Sequence, residues 1–172
     1  DCPIEEFGRY FTDRTRCIIL NNPNNPSGRV YTHTELAFLC DLTKSRGCYF
    51  LMDEAYSDFV HKGEFRTLAH YVDRHPGVIV VNSLSKNMGM SGWRIGYVIS
   101  NKIIIQNIVK LNQHLITCAP SLLQYYLARY FDQLLEITLP QIQEVIKKRA
   151  RVAEVMDKMG ITYLPGASTF YF

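Results

Sequence analysis

Residues 78–100 read "VIVVNSLSKNMGMSGWRIGYVIS". Two apolar runs rich in β-branched residues, 78–82 and 94–100, read as strands. They enclose a glycine-rich segment with a single lysine, Lys86, two hydroxyls, Ser83 and Ser85, and, at the start of the second run, Arg94. Upstream, "CYFLMDEAY" (48–56) reads as another buried strand, ending at Asp53, and "CIIL" (17–20) as the first. The first run stops at "NNPNNPSG" (21–28), whose prolines and glycine break regular structure. Between them "THTELAFLCDLTKSRG" (32–47) predicts a helix. Thr32 or Thr34 caps it, Glu35 stands three residues after Thr32, and Gly47 stops it. A polar stretch leads to "AHYVDRHPG" (69–77), a short helix and turn. Strand, helix, strand, connection, strand predicts an α/β fold with a mostly parallel sheet, its loops gathered at the strands' carboxyl ends.

Farther on, residues 101–117 predict an amphipathic helix. A second helical stretch opens at Pro120, is interrupted near Pro140, and resumes to about Met159, where Gly160 ends it. "ITYLPGASTFYF" (161–172) predicts strand, turn, strand.

Composition bounds the function. The 172 residues suffice for a domain with a real core. Lysines and arginines number 19 against 16 acids, a formal charge of +3. That is too mild to indicate nucleic acid or a membrane surface, and the basic cluster Lys147, Lys148, Arg149, Arg151 reads as a solvated helix face. No apolar run is long enough to span a bilayer. The N-terminal "DCPIEEFGRYF" does not resemble a signal peptide. The five cysteines form no CxxC pair, and Cys17 and Cys48 read as buried reduced thiols. A reducing compartment follows, so a cytoplasmic location is expected. The histidines show no metal-ligand spacing, and no metal is expected.

Three polar motifs directly follow three of the strands: Asn25-Pro26-Ser27-Gly28, Asp53-Glu54-Ala55-Tyr56 and Ser83-Leu84-Ser85-Lys86. Ligands of open α/β sheets bind outside these strand ends, so the motifs converge on one crevice. A lysine amine can form a Schiff base with an aldehyde. Two hydroxyls and a guanidinium suit a phosphate, and glycines 89, 92 and 96 let backbone approach it closely. A carboxylate holds a ring nitrogen protonated, and an amide and a phenol hydrogen-bond a phenolate. The one molecule with all four partners is pyridoxal 5′-phosphate.

"NNPNNPSG", "DEAYSDF" and "SLSKNMGMSGWRIGYV", in this order, resemble the fold-type-I, class I/II aminotransferases, the aspartate aminotransferase superfamily. "TCAPSLLQ" and "YLPGASTFYF" resemble it more weakly. The resemblance covers most of the chain from residue 17. It implies a three-layer α/β/α large domain over residues 1–145 and the start of a smaller α/β domain over 146–172. It implies transfer of an amino group from an L-amino acid to a 2-oxo acid by a ping-pong scheme. In that scheme Lys86 is the Schiff-base lysine and general acid/base. Asp53 pairs with the ring nitrogen. Tyr56 and Asn25 bond the ring oxygen, with Asn25 also touching substrate, and Ser83, Ser85 and Arg94 hold the phosphate. Thr117, near "TCAPS", is the candidate to reach the neighbouring subunit's phosphate, so a homodimer is expected. Glu54 is expected to be structural, Trp93 to pack, and Asp58 and Phe59 to line the pocket. Family members have a further N-terminal portion with a stacking aromatic, and a C-terminal portion with the arginine that binds the substrate carboxylate.

Other readings stand beside this one: a carbon–sulfur lyase on the same cofactor, a sensor domain of a transcription regulator, and an inactive fold. Ser83-x-x-Lys86 also matches the S-x-x-K of penicillin-binding enzymes, but no K-T-G partner accompanies it.

Overall fold

The computed structural model describes residues 3–60, 65–164, 166 and 168. Four strands, β1 (Cys17–Asn21), β2 (Tyr49–Asp53), β3 (Val78–Ser83) and β4 (Gly96–Ser100), form one sheet in the order β1-β2-β3-β4. β1, β2 and β3 are parallel, and β4 runs antiparallel to β3. The mostly parallel α/β sheet expected from the sequence is therefore present. The reversal at β4 follows from its connection, which holds only the one-turn helix α2 (Leu84–Asn87) and the 3-10 turn Ser91–Trp93. A parallel return needs a longer crossover.

α1 (His33–Ser45) starts where the sequence places it. Thr32 is the cap: its hydroxyl accepts from the Glu35 amide, and the Glu35 carboxylate accepts from the Thr32 amide at 2.7 Å. Gly47 follows the helix at φ +62°, the left-handed position that glycine adopts freely. A 3-10 turn at Leu68–Tyr71 replaces the short helix expected at 69–77.

Alternation along the strands separates two sheet faces. Phe50, Met52, Val78 and Val80 point to one face. There they pack with Leu36 and Leu39 of α1, Ile4 and Leu68 in a fully formed core. On the other face, Ile19 and Tyr49 are exposed, and Cys17 with them. The expectation that Cys17 is buried is corrected: its side chain shares the open face. Cys48, just before β2, is buried as expected. α3 (Lys102–Leu115) lies along β4. Its Ile105, Ile108 and Val109 line a cavity of about 470 Å³ together with Val81 and Val98.

α4 (Ser121–Lys158) is continuous, and Pro140 lies inside it. The expected interruption does not occur, although proline removes one helical donor. Buried residues on both sides of the proline, Leu127 before it and Ile142 and Ile146 after it, hold the helix in line. Residues 161–164 are not a strand, contrary to the expectation. Beyond them Ser168 forms an isolated bridge with Val60, and the rest of the expected terminal strand lies outside the described residues. Among the described residues no helix is long and apolar enough to cross a membrane, and no cluster of three His, Cys, Asp or Glu could hold a metal.

His75 ties α1 to the start of β3. Its ring is buried, Nδ1 accepts from the Gly77 amide at 3.1 Å, and Nε2 lies 3.0 Å from the Thr43 hydroxyl. Thr43 in turn donates to the Leu39 carbonyl at 2.8 Å. An accepting Nδ1 requires the neutral ring, and burial, aided by Lys44, lowers the His75 pKa. The stability tied to this network is present above the unfolded histidine value of about 6.5 and is lost as pH falls below it. His75→Gln keeps one donor and one acceptor and does not titrate. The variant's melting temperature should therefore fall less than the parent's on acidification below about pH 6.5. Parallel melting curves across that range would refute the assignment.

Candidate active site

The parallel register places Asn21 beside Asp53 and Asp53 beside Val81, so β1 and β2 end level and β3 runs two residues farther, to Ser83. Each end opens into a loop that carries one motif.

The first loop is knit by asparagines. Asn24 donates to the Asn21 side chain at 2.6 Å and accepts from the Ser27 hydroxyl at 2.7 Å, while buried Asn22 accepts from the Tyr31 amide at 3.0 Å. Gly28, at φ +70°, closes the turn. This leaves the Asn25 side chain to reach across the strand ends, where its Nδ2 donates to the Tyr56 hydroxyl at 3.4 Å.

At the second end, Asp53 sits on the open face and Glu54 on the core side. Asp53 is exposed, with Oδ1 accepting from the Ala55 amide at 2.9 Å and Oδ2 without a hydrogen-bond partner among the described residues. Glu54 is buried and accepts from the Thr67 hydroxyl and the Leu68 amide, both at 2.7 Å. Burial pushes its pKa up to about 7 against the pull of these two donors. Glu54 thus does the structural work expected of it, fastening the segment before Leu68. Phe59 packs edge-on against the Tyr56 ring at 6.0 Å.

At the third end, Ser83 caps α2 by accepting from the Ser85 amide at 3.2 Å. It shares the open face with Asp53, two residues beyond Val81. Lys86 is exposed, and its Nζ lies 6.0 Å from the centre of the Tyr56 ring. Leu84, Met88, Met90 and Ile95 form a second core cluster with Leu127 of α4, and Trp93 packs against it as expected.

Arg94 follows the Ser91–Trp93 turn, one residue before Ile95, whose carbonyl accepts from the Leu84 amide at 3.2 Å. Its guanidinium donates to the Ser91 carbonyl at 3.1 Å, and it lines the cavity with Val81 and Gly96. Its φ of +55° is the left-handed region, rarely occupied by residues other than glycine and often found at functional sites. Thr117 is likewise left-handed, at φ +74°, and exposed after α3. The structure therefore brings Asn25, Tyr56 and Lys86 into one contact group and sets Asp53 and Ser83 on one face. It leaves Thr117 outside that group.

Two features escaped the sequence reading. Asn82 donates to the Ser57 hydroxyl at 3.4 Å, joining the second loop to β3. Gly96, expected to allow close approach to a phosphate, also has a role in the sheet. A Cβ there would lie 2.4 Å from the Asn82 carbonyl oxygen of the neighbouring strand. Only the glycine in a cross-strand alignment could have signalled this. Gly89, at φ +63°, is a turn position with open space beside it.

Residues 4–172 match the family described as Aminotransferase class I and II. The chain belongs to that family. Members of the class I and II aminotransferases use pyridoxal 5′-phosphate. The chain is 30% identical to an aspartate aminotransferase of Thermotoga maritima, over 98% of its own length and 44% of that protein. It is 32% identical to an aspartate aminotransferase of Sulfolobus acidocaldarius, over 98% of its own length and 42% of that protein. The solved aromatic aminotransferase from Pyrococcus horikoshii OT3 superposes with a TM-score of 0.86 at 27% identity, covering 98% of this chain and 46% of that one. The chain thus spans less than half the length of these relatives.

The donor set suits the family's cofactor. An exposed carboxylate with a free oxygen, an amide–phenol pair and an accessible amine lie at adjacent strand ends, and a capped hydroxyl and a guanidinium border the same face.

The spacing of β3 and β4 can be tested directly. Gly96→Ala should destabilise the protein by about 1–3 kcal/mol through overpacking against Asn82, read as a lower denaturation midpoint. A midpoint equal to the parent's would show that the strands separate without strain.

Proposed function

We propose that the protein of which this chain is part is a pyridoxal-phosphate-dependent aminotransferase, moving an amino group from an L-amino acid to a 2-oxo acid by a ping-pong scheme. The observation that carries the proposal is the gathering of Lys86, Tyr56 and Asn25 at the ends of parallel strands, beside Asp53 on the open sheet face. When bound, the cofactor supplies an electron sink for charge that develops at the substrate α-carbon.

The chain's own residues divide the remaining work. Lys86 Nζ anchors the cofactor and then carries a proton between the substrate α-carbon and the cofactor. Asp53 would accept a hydrogen bond from the protonated ring nitrogen, and its negative charge would favour that protonated form. Tyr56 and Asn25 donate to the ring oxygen, with Asn25 also in reach of substrate. Ser83, Ser85 and Arg94 form the phosphate cradle, in which Arg94 contributes a fixed charge and a planar fork.

The division into a large domain to residue 145 and a smaller one from residue 146 is part of the same reading, with α4 carrying the chain from one to the other. A homodimer fits the exposed apolar residues at Leu115, Ile116, Leu122 and Tyr125, which flank Thr117, the residue proposed to reach the neighbouring subunit's phosphate. A cytoplasmic location accords with four cysteines that are free thiols. The substrate-carboxylate arginine is assigned to a portion outside these residues.

Absorbance of the full-length protein with pyridoxal 5′-phosphate, before and after a panel of amino acids, tests the proposal. Conversion of the cofactor to its amine form, reversed by an oxo acid, is the expected result. Ammonia release without an oxo-acid acceptor would favour an elimination enzyme instead. Lys86→Ala should lower turnover by at least about a hundredfold, and retained turnover would remove Lys86 from the chemistry. Arg94→Ala should weaken cofactor binding by about ten- to a hundredfold, the worth of a charge-assisted hydrogen bond, measured by titration of the apoprotein. Unchanged affinity would take Arg94 out of the phosphate cradle.

A further inference from the structure

Lys86 rides on α2, a helix of four residues. A single turn has too few internal hydrogen bonds to hold its own orientation. Burial of Leu84 and Met88 in the cluster under α4 sets how deep the turn sits. It does not by itself set how the turn is rotated, and rotation decides where a long exposed side chain projects.

One polar contact addresses rotation. The Asn87 side chain, next after Lys86, donates from Nδ2 to the Asp58 carboxylate at 2.6 Å. Asp58 lies two residues after Tyr56, in the loop that leaves β2. The contact therefore spans from the helix that carries the amine to the loop that carries the phenol facing it. The loop itself is tightly turned: the Ser57 amide donates to the Glu54 carbonyl at 2.9 Å, and the Phe59 amide to the Tyr56 carbonyl at 3.0 Å. A displacement at Asp58 is thus a displacement at Tyr56. The bond is also one-way. A carboxylate only accepts, so the Asn87 amide must turn its Nδ2 toward Asp58. Its Oδ1 is then buried and has no donor among the described residues. The short separation and the ionised acceptor mark the stronger class of hydrogen bond.

We propose that Asp58 and Asn87 form a clamp that positions the Lys86 amine against Tyr56, making Asp58 a positioning residue for the reaction. The proposal rests on the aminotransferase reading for its kinetic consequence and on geometry alone for the clamp itself.

The test uses the full-length protein and four variants: Asp58→Ala, Asn87→Ala, the double variant, and Asp58→Asn. Each alanine variant should lower kcat on the order of tenfold, with KM little changed, because the loss is in alignment rather than in substrate contact. The double variant should be no worse than the poorer single one, since both remove one bond. Asp58→Asn should recover most of kcat. Its Oδ1 can still accept from Asn87, and its amide can donate to the orphaned Asn87 Oδ1.

A second readout needs no cofactor. Trace acetylation of the apoprotein with acetic anhydride, read lysine by lysine by mass spectrometry, should show altered labelling at Lys86 relative to the other lysines in both alanine variants. The labelling should return to the parent's pattern in Asp58→Asn. Additive losses in the double variant, equal loss in Asp58→Asn and Asp58→Ala, or unaltered Lys86 labelling would each overturn the clamp. If Asp58→Ala fails to fold, Asn87→Ala and Asp58→Asn carry the same comparison. If the unsubstituted protein binds no cofactor, the aminotransferase reading falls, and the labelling pattern alone decides the clamp.

Discussion

The site depends first on the register of β2 between β1 and β3. Phe50 and Met52 are wholly buried on one face, and Asp53, one residue on, lies on the other. Burying each of those two side chains contributes about 1.5–3 kcal/mol. Sliding the strand by one residue would turn both outward and drive the Asp53 carboxylate into the core, reversing every side chain at once. An unpaired charge there costs several kcal/mol more. Hydrophobic burial on the opposite face of the strand thus decides which carboxylate meets the crevice, and Asn21 and Val81 come level with it because they are its register partners.

Beyond the strand ends the means of support changes. Loop backbone groups need hydrogen-bond partners that an apolar core cannot supply. Here several backbone amides donate to side chains: those of Ser27, Arg29 and Tyr31 to Asn24, Ser27 and Asn22 in the first loop, that of Leu68 to Glu54 in the second, and that of Ser85 to Ser83 at the start of α2. Each such bond contributes about 1 kcal/mol to stability. Their larger effect is directional, since they select one orientation for Asn25, Tyr56 and Lys86 from many of similar energy.

What was legible in the sequence follows the same division. The apolar runs of the three parallel strands, the Thr32–Glu35 capping box and the Gly47 stop are local patterns, each readable within a short window even though the strands pair with distant partners. The motifs at the strand ends were legible because each directly follows a strand. The direction of β4 was not, because it depends on how far residues 84–95 can carry the chain. Nor was the continuity of α4 through Pro140, where packing of Ile142 and Ile146 outweighs a local breaker. Cys17 sits in an apolar run, but only the sheet's one-sided core shows that its face is open. The Gly96–Asn82 approach and the Asn82–Ser57 bond join parts of the chain whose partners stand 14 and 25 positions apart, and no short window of sequence contains their reason.

The adjacent carboxylates of Asp53 and Glu54 show how one alternation serves two ends. Asp53 faces the crevice, while Glu54 is drawn into the protein and held by two donors. Burial raises Glu54 from 4.5 to about 7, so folding takes up a proton there between those values. Its contribution to stability is present below the unfolded value and is lost as pH rises through about 7. His75 carries the opposite sign, because its buried ring is neutral and its pKa is lowered. Between the unfolded carboxyl and histidine values the two groups therefore push stability in opposite directions. The Glu54 network lies at the carboxyl ends of the strands and the His75 network at the amino end of β3. Acidification thus loosens the sheet at the end remote from the crevice while favouring the protonated carboxyl beside it, so a nearly flat stability curve for the whole protein would conceal two local responses.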